Sequence, residues 1–333
     1  MALALVITVV VAALVYAYVN GFHDASDAVG TAVATRALTP RIALALAASM
    51  NLVGALVGHR VAQTVSDTLD PGTGKQALVI VLAALLSAIA WNLYTWYLGL
   101  PSASLHALVG ALIGAGLVAG VTVHWDVVVR KVALPVVLVP LAAFALGYVF
   151  MLLLAWSLRR TTPGRAGRGL RLAQTAATAA MALGHGIQDG ARTMGVVFFA
   201  LLAGDHVSRG DSLPAWVVAS TAVAMALGTY SGGWRIIRTV GRRIIDLEPA
   251  RGLAAETAAL AVFYTVAYAA HVPAASPHMV TSAVAGVGTT RRLSAVRWSV
   301  LRPVALAWVL TVPVAGLAGA LVYSVLHGVL RLP

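Results

Sequence analysis

A chain of 333 residues that is 60% hydrophobic and only 10% charged is not a water-soluble globule, because soluble domains carry about 25% charged residues. Its formal charge of +12 comes from arginines clustered between apolar runs, which is the bias of membrane topology and not of a nucleic-acid surface. The chain has no cysteine, which excludes a disulfide framework, thiolate metal sites and cysteine nucleophiles.

Apolar runs of roughly 20 residues are long enough to cross the hydrocarbon core as helices. In chain order they lie near 2–19, 22–35, 42–58, 76–98, 102–121 and 127–156, then 172–187, 190–204, 213–234, 252–270, 274–289 and 303–327. The pattern predicts an all-α polytopic membrane protein with about twelve hydrophobic segments, some of them half-helices. Residues 1–156 form a first transmembrane repeat, 157–171 a basic linker and 172–333 a second repeat. The amino terminus has no positive n-region and no cleavage site, so it reads as a retained first span.

The loops set the topology. Leu158 to Arg171 holds Arg159, Arg160, Arg165, Arg168 and Arg171 with no acid, and Pro163, Gly164 and Gly167 predict a break, so this is a cytoplasmic linker. Arg36 and Arg41 mark a second basic loop, whereas 59–75 balances Arg60 and Lys75 against Asp67 and Asp70 and is assigned outside. In the second half the sides exchange. The loop with Asp205, Arg209 and Asp211 is outside, while 235–251 and 290–302 are arginine-rich and inside. Loops that match in order thus lie on opposite sides, which predicts two inverted-topology repeats.

Two polar interruptions recur in the two halves. Asn20-Gly21-Phe22-His23-Asp24-Ala25-Ser26-Asp27-Ala28-Val29-Gly30 follows an uncharged run, Ala2 to Val19, and Gly186-Ile187-Gln188-Asp189-Gly190-Ala191-Arg192-Thr193-Met194-Gly195 repeats it at an offset of 165. That offset pairs Gly21 with Gly186, Asp24 with Asp189, Asp27 with Arg192 and Gly30 with Gly195. Pro101-Ser102-Ala103-Ser104-Leu105-His106 is answered by Pro273-Ala274-Ala275-Ser276-Pro277-His278 at an offset of 172. Gly/Pro-interrupted apolar segments at matching places in two halves point to a transporter binding site. An acid within an apolar segment faces protein or a wet cavity, because its charge costs a few kcal/mol or more in lipid.

The expected chemistry is anion binding beside a cation. Helices broken at the two Gly-Asp stretches would present free amide N–H groups at the midplane, which suit an anion. The hydroxyls of Thr31, Ser104, Thr193 and Ser276 add neutral donors. Ionised Asp24 and Asp189 cannot bind an oxyanion directly, so their role is to hold a coupling Na⁺ or H⁺, and Arg192 neutralises either the substrate or Asp27. Asp27 is an added acid beside that cation site and predicts a bias towards H⁺ coupling. His23, His106, His185 and His278 read as packed polar residues around the site, with His23 and His185 near enough to serve proton coupling. No resident metal or cofactor is expected.

These residues resemble the bacterial branch of the inorganic phosphate transporter (PiT) family, the Na⁺- or H⁺-coupled phosphate symporters. Asn20-Gly21-Phe22-His23-Asp24 with Thr35-Arg36-Ala37-Leu38-Thr39-Pro40 is similar to one family signature, and Gly184-His185-Gly186 to Gly195 to the second. Gly252 to Thr257 and Arg291 to Trp298 are also similar to family stretches. The resemblance implies a symporter of inorganic phosphate, alone or as a metal–phosphate complex, working by alternating access as a homodimer in the bacterial inner membrane. It places Asp24 and Asp189 at the ion and substrate site, Ser104 and Ser276 in the phosphate cradle, and Gln188 where the family has Asn. The chain departs from the family at Asp27, where Asn is usual, and in its thinned hydroxyl runs Ala103-Ser104-Leu105 and Ala275-Ser276-Pro277. Each lost donor is worth about 1 kcal/mol at a desolvated site. Alternative readings are a transporter of another tetrahedral oxyanion such as sulfate, a paralogue that has lost transport, and an intramembrane enzyme using His23/Asp24 or His185/Asp189.

Overall fold

The computed structural model describes residues 2–58, 72, 74–208, 210–269 and 275–330. Most of the expected outside loop, with Arg60, Asp67 and Asp70, lies outside these residues, as do Arg209, Pro273 and Ala274. The first half comprises α1 (Ala2–Ala34), α2 (Pro40–Gly58), α3 (Gly74–Leu98), α4 (Ser104–Val118) and α5 (Trp125–Val128). The last of these runs through a π turn, Val129–Ala133, into α6 (Leu134–Leu158). The second half comprises α7 (Pro163–Ala203), α8 (Ala215–Ser231), α9 (Trp234–Arg238), α10 (Pro249–Tyr264), α11 (Ser276–Thr289) and α12 (Trp298–Leu330). Among the described residues five stretches are long and apolar enough to cross a membrane: α1, α2, α3, the joined α5–α6 and α12. This is an all-helical, membrane-embedded chain.

The helix breaks are not where the sequence suggests. The two Gly-Asp stretches do not interrupt their helices: α1 runs through 33 residues and α7 through 41. At 1.5 Å per residue these are about 50 and 60 Å long, more than the hydrocarbon thickness. Their glycines serve close approach. A Cβ on Gly21 would run into the Met225 carbonyl oxygen of α8, and one on Gly186 into the Asn51 carbonyl oxygen of α2. The linker is also partly helical, because Pro163 sits in the first turn of α7, where its missing N–H costs nothing.

The true interruptions precede Ser104 and Ser276. The α3–α4 connection, with Gly99 at φ +70°, turns the chain inside the protein, and α4 and α11 then run for only 15 and 14 residues. Each is about 21–23 Å long and too short to span the bilayer. Trp308 Nε1 on α12 donates to the Pro101 carbonyl at 2.8 Å and holds this irregular stretch in place. The region 235–251, expected as a loop, contains α9 and a π turn, Thr239–Arg243, which pack on α1 with Ile236, Ile237 and Val240 buried.

Contacts recur with the halves exchanged. Helix α2 packs on α7 as α1 packs on α8; α4 packs on α12 as α11 packs on α6; and α1 packs on α3 as α7 packs on α10. Gly114 meets Gly316 and Gly286 meets Phe144, while Gly319 meets Ala111 and Gly147 meets Ala283. Each partner in one contact stands 172 residues from its counterpart in the other. Backbones this close are the usual means of joining helices in lipid, where no hydrophobic force separates one apolar surface from another. Helices α1 and α7 run antiparallel against each other: Val6 lies on Gly204, Asp24 meets Asp189, and Thr35 bonds Gln174.

Candidate functional site

Asp24 and Asp189 occupy one place. The two carboxyls adjoin each other where α1 packs on α7, with Asp24 6% exposed. Asp27, one turn further along α1, is 1% exposed and accepts from Ser276 Oγ at 2.9 Å. That bond ties α1 to the first residue of α11. On the other side Tyr16 Oη donates to the Ser104 carbonyl at 3.1 Å, tying α1 to the first residue of α4.

The two half-helices meet at their N-termini. His106 and His278, each in the first turn of its helix, have ring centroids 5.1 Å apart, and His278 lies 4.4 Å from the Trp308 ring. Neither helix has a side-chain cap at its N-terminus, and Ser104 Oγ is buried with no protein partner. The first-turn amides of α4 and the positive ends of two helix dipoles therefore converge beside buried acids. In α11 Pro277 has no N–H and the His278 N–H bonds the Ala275 carbonyl at 3.1 Å, which leaves the Ser276 N–H. The expected amide donors exist, but they belong to the Ser104 and Ser276 stretches and not to the Gly-Asp stretches.

On α7 the Arg192 guanidinium bonds Asp189 Oδ1 at 2.5 Å and Gln188 Oε1 at 2.8 Å. Its expected neighbours were the substrate or Asp27; the structure places it on its own helix's acid. Thr193 is buried in the same segment, 2% exposed. Thr31, expected among the donors to substrate, instead donates to Glu256 Oε2 on α10 at 2.7 Å.

His23 is buried against α3, with Nε2 3.2 Å from Thr95 Oγ1. Its Nδ1 is 3.7 Å from Asp24 Oδ1, too far for the hydrogen bond that an acid–base pair requires. His185 packs edge-on against Phe263. Among the described residues no group of three or more His, Asp or Glu side chains is placed to hold a metal ion.

Sequence reasoning missed one polar cluster. Glu256, 0% exposed, accepts from Thr31 and from Thr178 Oγ1 of α7, each at 2.7 Å, and Thr35 Oγ1 donates to Gln174 Oε1 at 2.8 Å. The available signal was a lone acid in an otherwise uncharged run, 252–270. A separate cavity of about 190 Å³ lies along α1 and α9, lined by Gly30, Val33, Trp234, Arg238 and Arg242 among others, and contains none of the three aspartates.

Two half-helices that meet nose to nose beside buried acids, inside a bundle of long apolar helices, are the construction of a secondary-transporter fold. The fold itself matches a solved chain, "The sodium-dependent phosphate transporter", with a TM-score of 0.84 over 98% of this chain and 100% of that one, at 22% identity. The sequence pattern of the phosphate transporter family matches residues 20–170 and 162–319. The chain belongs to that family, as the resemblance of its motifs implies.

Similar relatives include a "Probable low-affinity inorganic phosphate transporter" of Mycobacterium tuberculosis, 42% identical over 257 residues, covering 75% of this chain and 60% of that protein. A Bacillus subtilis protein of the same description is 36% identical over 263 residues, and one from Rhizobium meliloti is 37% identical over 264, each match covering 78% of both chains. The match therefore spans 60% of the length of the mycobacterial relatives.

Proposed function

We propose that this chain is a cation-coupled symporter of inorganic phosphate that works by alternating access. The observation that carries the reading is the contact of Asp24 with Asp189 between antiparallel α1 and α7, beside the joined N-termini of α4 and α11. Uncapped helix N-termini are suited to an oxyanion. Asp24, Asp27 and Asp189 set three acids against one guanidinium, Arg192, so an anion that enters beside them needs cations on the carboxyls. Na⁺ or H⁺ held by these acids supplies them, which is the coupling.

In this reading phosphate lies against the first-turn amides of α4, the Ser276 N–H and the Ser104 hydroxyl, and Arg192, Gln188 and Thr193 face it from α7. Thr31 belongs with Glu256 and braces α1 against α10. The four buried histidines pack the walls. The helix pairings that recur with halves exchanged, and the antiparallel run of α1 on α7, support two inverted-topology repeats of residues 1–156 and 172–333. Alternating access then means that the two halves rock about the shared site. The arginine-rich stretch 157–171 faces the cytoplasm of a bacterial inner membrane, and the working form is a homodimer. No resident cofactor takes part.

Phosphate is favoured over sulfate by the acids. Phosphate keeps at least one O–H near neutral pH and can donate to a carboxylate, whereas sulfate carries no proton and is repelled. Uptake of labelled phosphate into proteoliposomes under separate Na⁺ and H⁺ gradients tests the reading. Competition by excess unlabelled phosphate but not by sulfate is expected; uptake of labelled sulfate with none of labelled phosphate would make it a sulfate carrier.

A further inference from the structure

We infer that Arg192 is a resident cation: its guanidinium occupies, permanently, a position in the acid pocket that an external coupling ion would otherwise have to fill. The inference rests on the symport reading and says which part of the coupling charge is built into the chain.

The oxygens that Arg192 engages are a cation's ligands. Asp189 Oδ1 at 2.5 Å and Gln188 Oε1 at 2.8 Å are a carboxylate and an amide carbonyl, the hard donors that a group I or II ion takes from a protein. Both come from one face of α7, at i−3 and i−4, so the helix holds them in register whatever the rest of the protein does. The Asp24 carboxyl adjoins Asp189. The pair is well enclosed, with side-chain exposures of 12% for Arg192 and 11% for Asp189.

The other half provides the contrast. Asp27 stands at the equivalent place on α1, 165 residues earlier, and reaches across to Ser276 at 2.9 Å. Were the halves alike, residue 192 would reach across to Ser104, the counterpart of Ser276. Arg192 instead folds back onto its own helix, and Ser104 Oγ is left without a protein partner. One half thus carries an added acid and the other an added base at the same position. A guanidinium stays charged at any accessible pH, so it cannot be released with the substrate as Na⁺ or H⁺ is. Two of its five N–H groups are used on Asp189 and Gln188 of α7.

The test removes the built-in charge and looks for its replacement. The purified full-length protein and its Arg192→Ala and Arg192→Gln variants are titrated with NaCl against choline chloride at constant ionic strength, without phosphate, and thermal unfolding is followed. The wild type is expected to show no Na⁺-specific shift from this position. Either variant should gain a saturable Na⁺-dependent rise in Tm, about 2 °C at roughly ten times Kd. Arg192→Lys should not gain it, and Arg192→Ala combined with Asp189→Asn should lose it. Equal Na⁺ shifts in wild type and both neutral variants, or none in either variant, would overturn the inference. A separate titration of the wild type with inorganic phosphate reports on the transport reading, so failure of one is distinct from failure of the other.

Discussion

Ser276 Oγ donates to Asp27 Oδ2 across 2.9 Å, and this one bond joins the N-terminus of half-helix α11 to the middle of α1. It positions a serine hydroxyl and the Ser276 N–H of α11 at the acid pocket. Ser276→Ala removes the hydrogen bond to a buried carboxyl and leaves that oxygen unsatisfied, at a cost of about 1–3 kcal/mol. A rise in the apparent KM for phosphate of about tenfold or more is expected, measured in proteoliposomes. Asp27→Asn, which still accepts from Ser276, should keep a KM closer to wild type than Asp27→Ala.

The glycines of the helix seams predict a sharp contrast in stability. A Cβ on Gly114 would run into the Gly316 carbonyl, whereas one on Gly328, in the exposed end of α12, meets nothing within 4 Å. Gly114→Ala should lower Tm through overpacking of about 1–3 kcal/mol. Gly328→Ala should leave Tm unchanged or raise it, since alanine is the better helix former by about 1 kcal/mol. Thermal unfolding of the two variants in the same detergent gives the comparison.

Glu256 should behave as a brace between α1, α7 and α10. Glu256→Ala leaves Thr31 and Thr178 without their acceptor in a fully buried position and opens a cavity, a loss of about 2–4 kcal/mol. Glu256→Gln keeps an acceptor and should unfold several degrees above Glu256→Ala. Equal Tm values for the two variants would show that the hydrogen bonds contribute nothing.

The proposed inversion of the two halves can be tested by labelling, because the 333 residues include no cysteine. Thr39 and Ser212 are exposed in the α1–α2 and α7–α8 connections, which correspond in the two halves. Thr39→Cys is expected to react with an impermeant maleimide only from the cytoplasmic side, and Ser212→Cys only from the opposite side. Labelling of both from one face would exclude inversion.

Much of this arrangement is readable in the chain. The bounds of α2 and α3 fall within a turn of the apolar runs, and Pro101 and Pro273 mark the stretches where the half-helices begin. Asp24 and Asp189 are found from their repeat alone. The Gly-Asp stretches mislead because a glycine that breaks a helix and one that admits a neighbouring backbone look the same locally. Only the carbonyls of Asn51 and Met225, on other helices, distinguish the two roles. Glu256 escaped for a related reason: its partners Thr31 and Thr178 lie 225 and 78 residues away, beyond any spacing rule. The direction of Arg192 depended on whether a neighbour on its own helix or a residue across the pocket claimed it, a competition that composition does not decide.

Phosphate uptake by Asp24→Asn and Asp189→Asn proteins in liposomes, each under the inward gradient that drives the wild type, tests the coupling of anion to buried acid most directly. Both variants keep the size of the side chain, remove its titratable charge and exchange one acceptor oxygen for an NH2 donor. Uptake is expected to fall to the level of empty liposomes in each while the purified proteins unfold at temperatures near that of the wild type. Wild-type uptake by either variant would contradict the account.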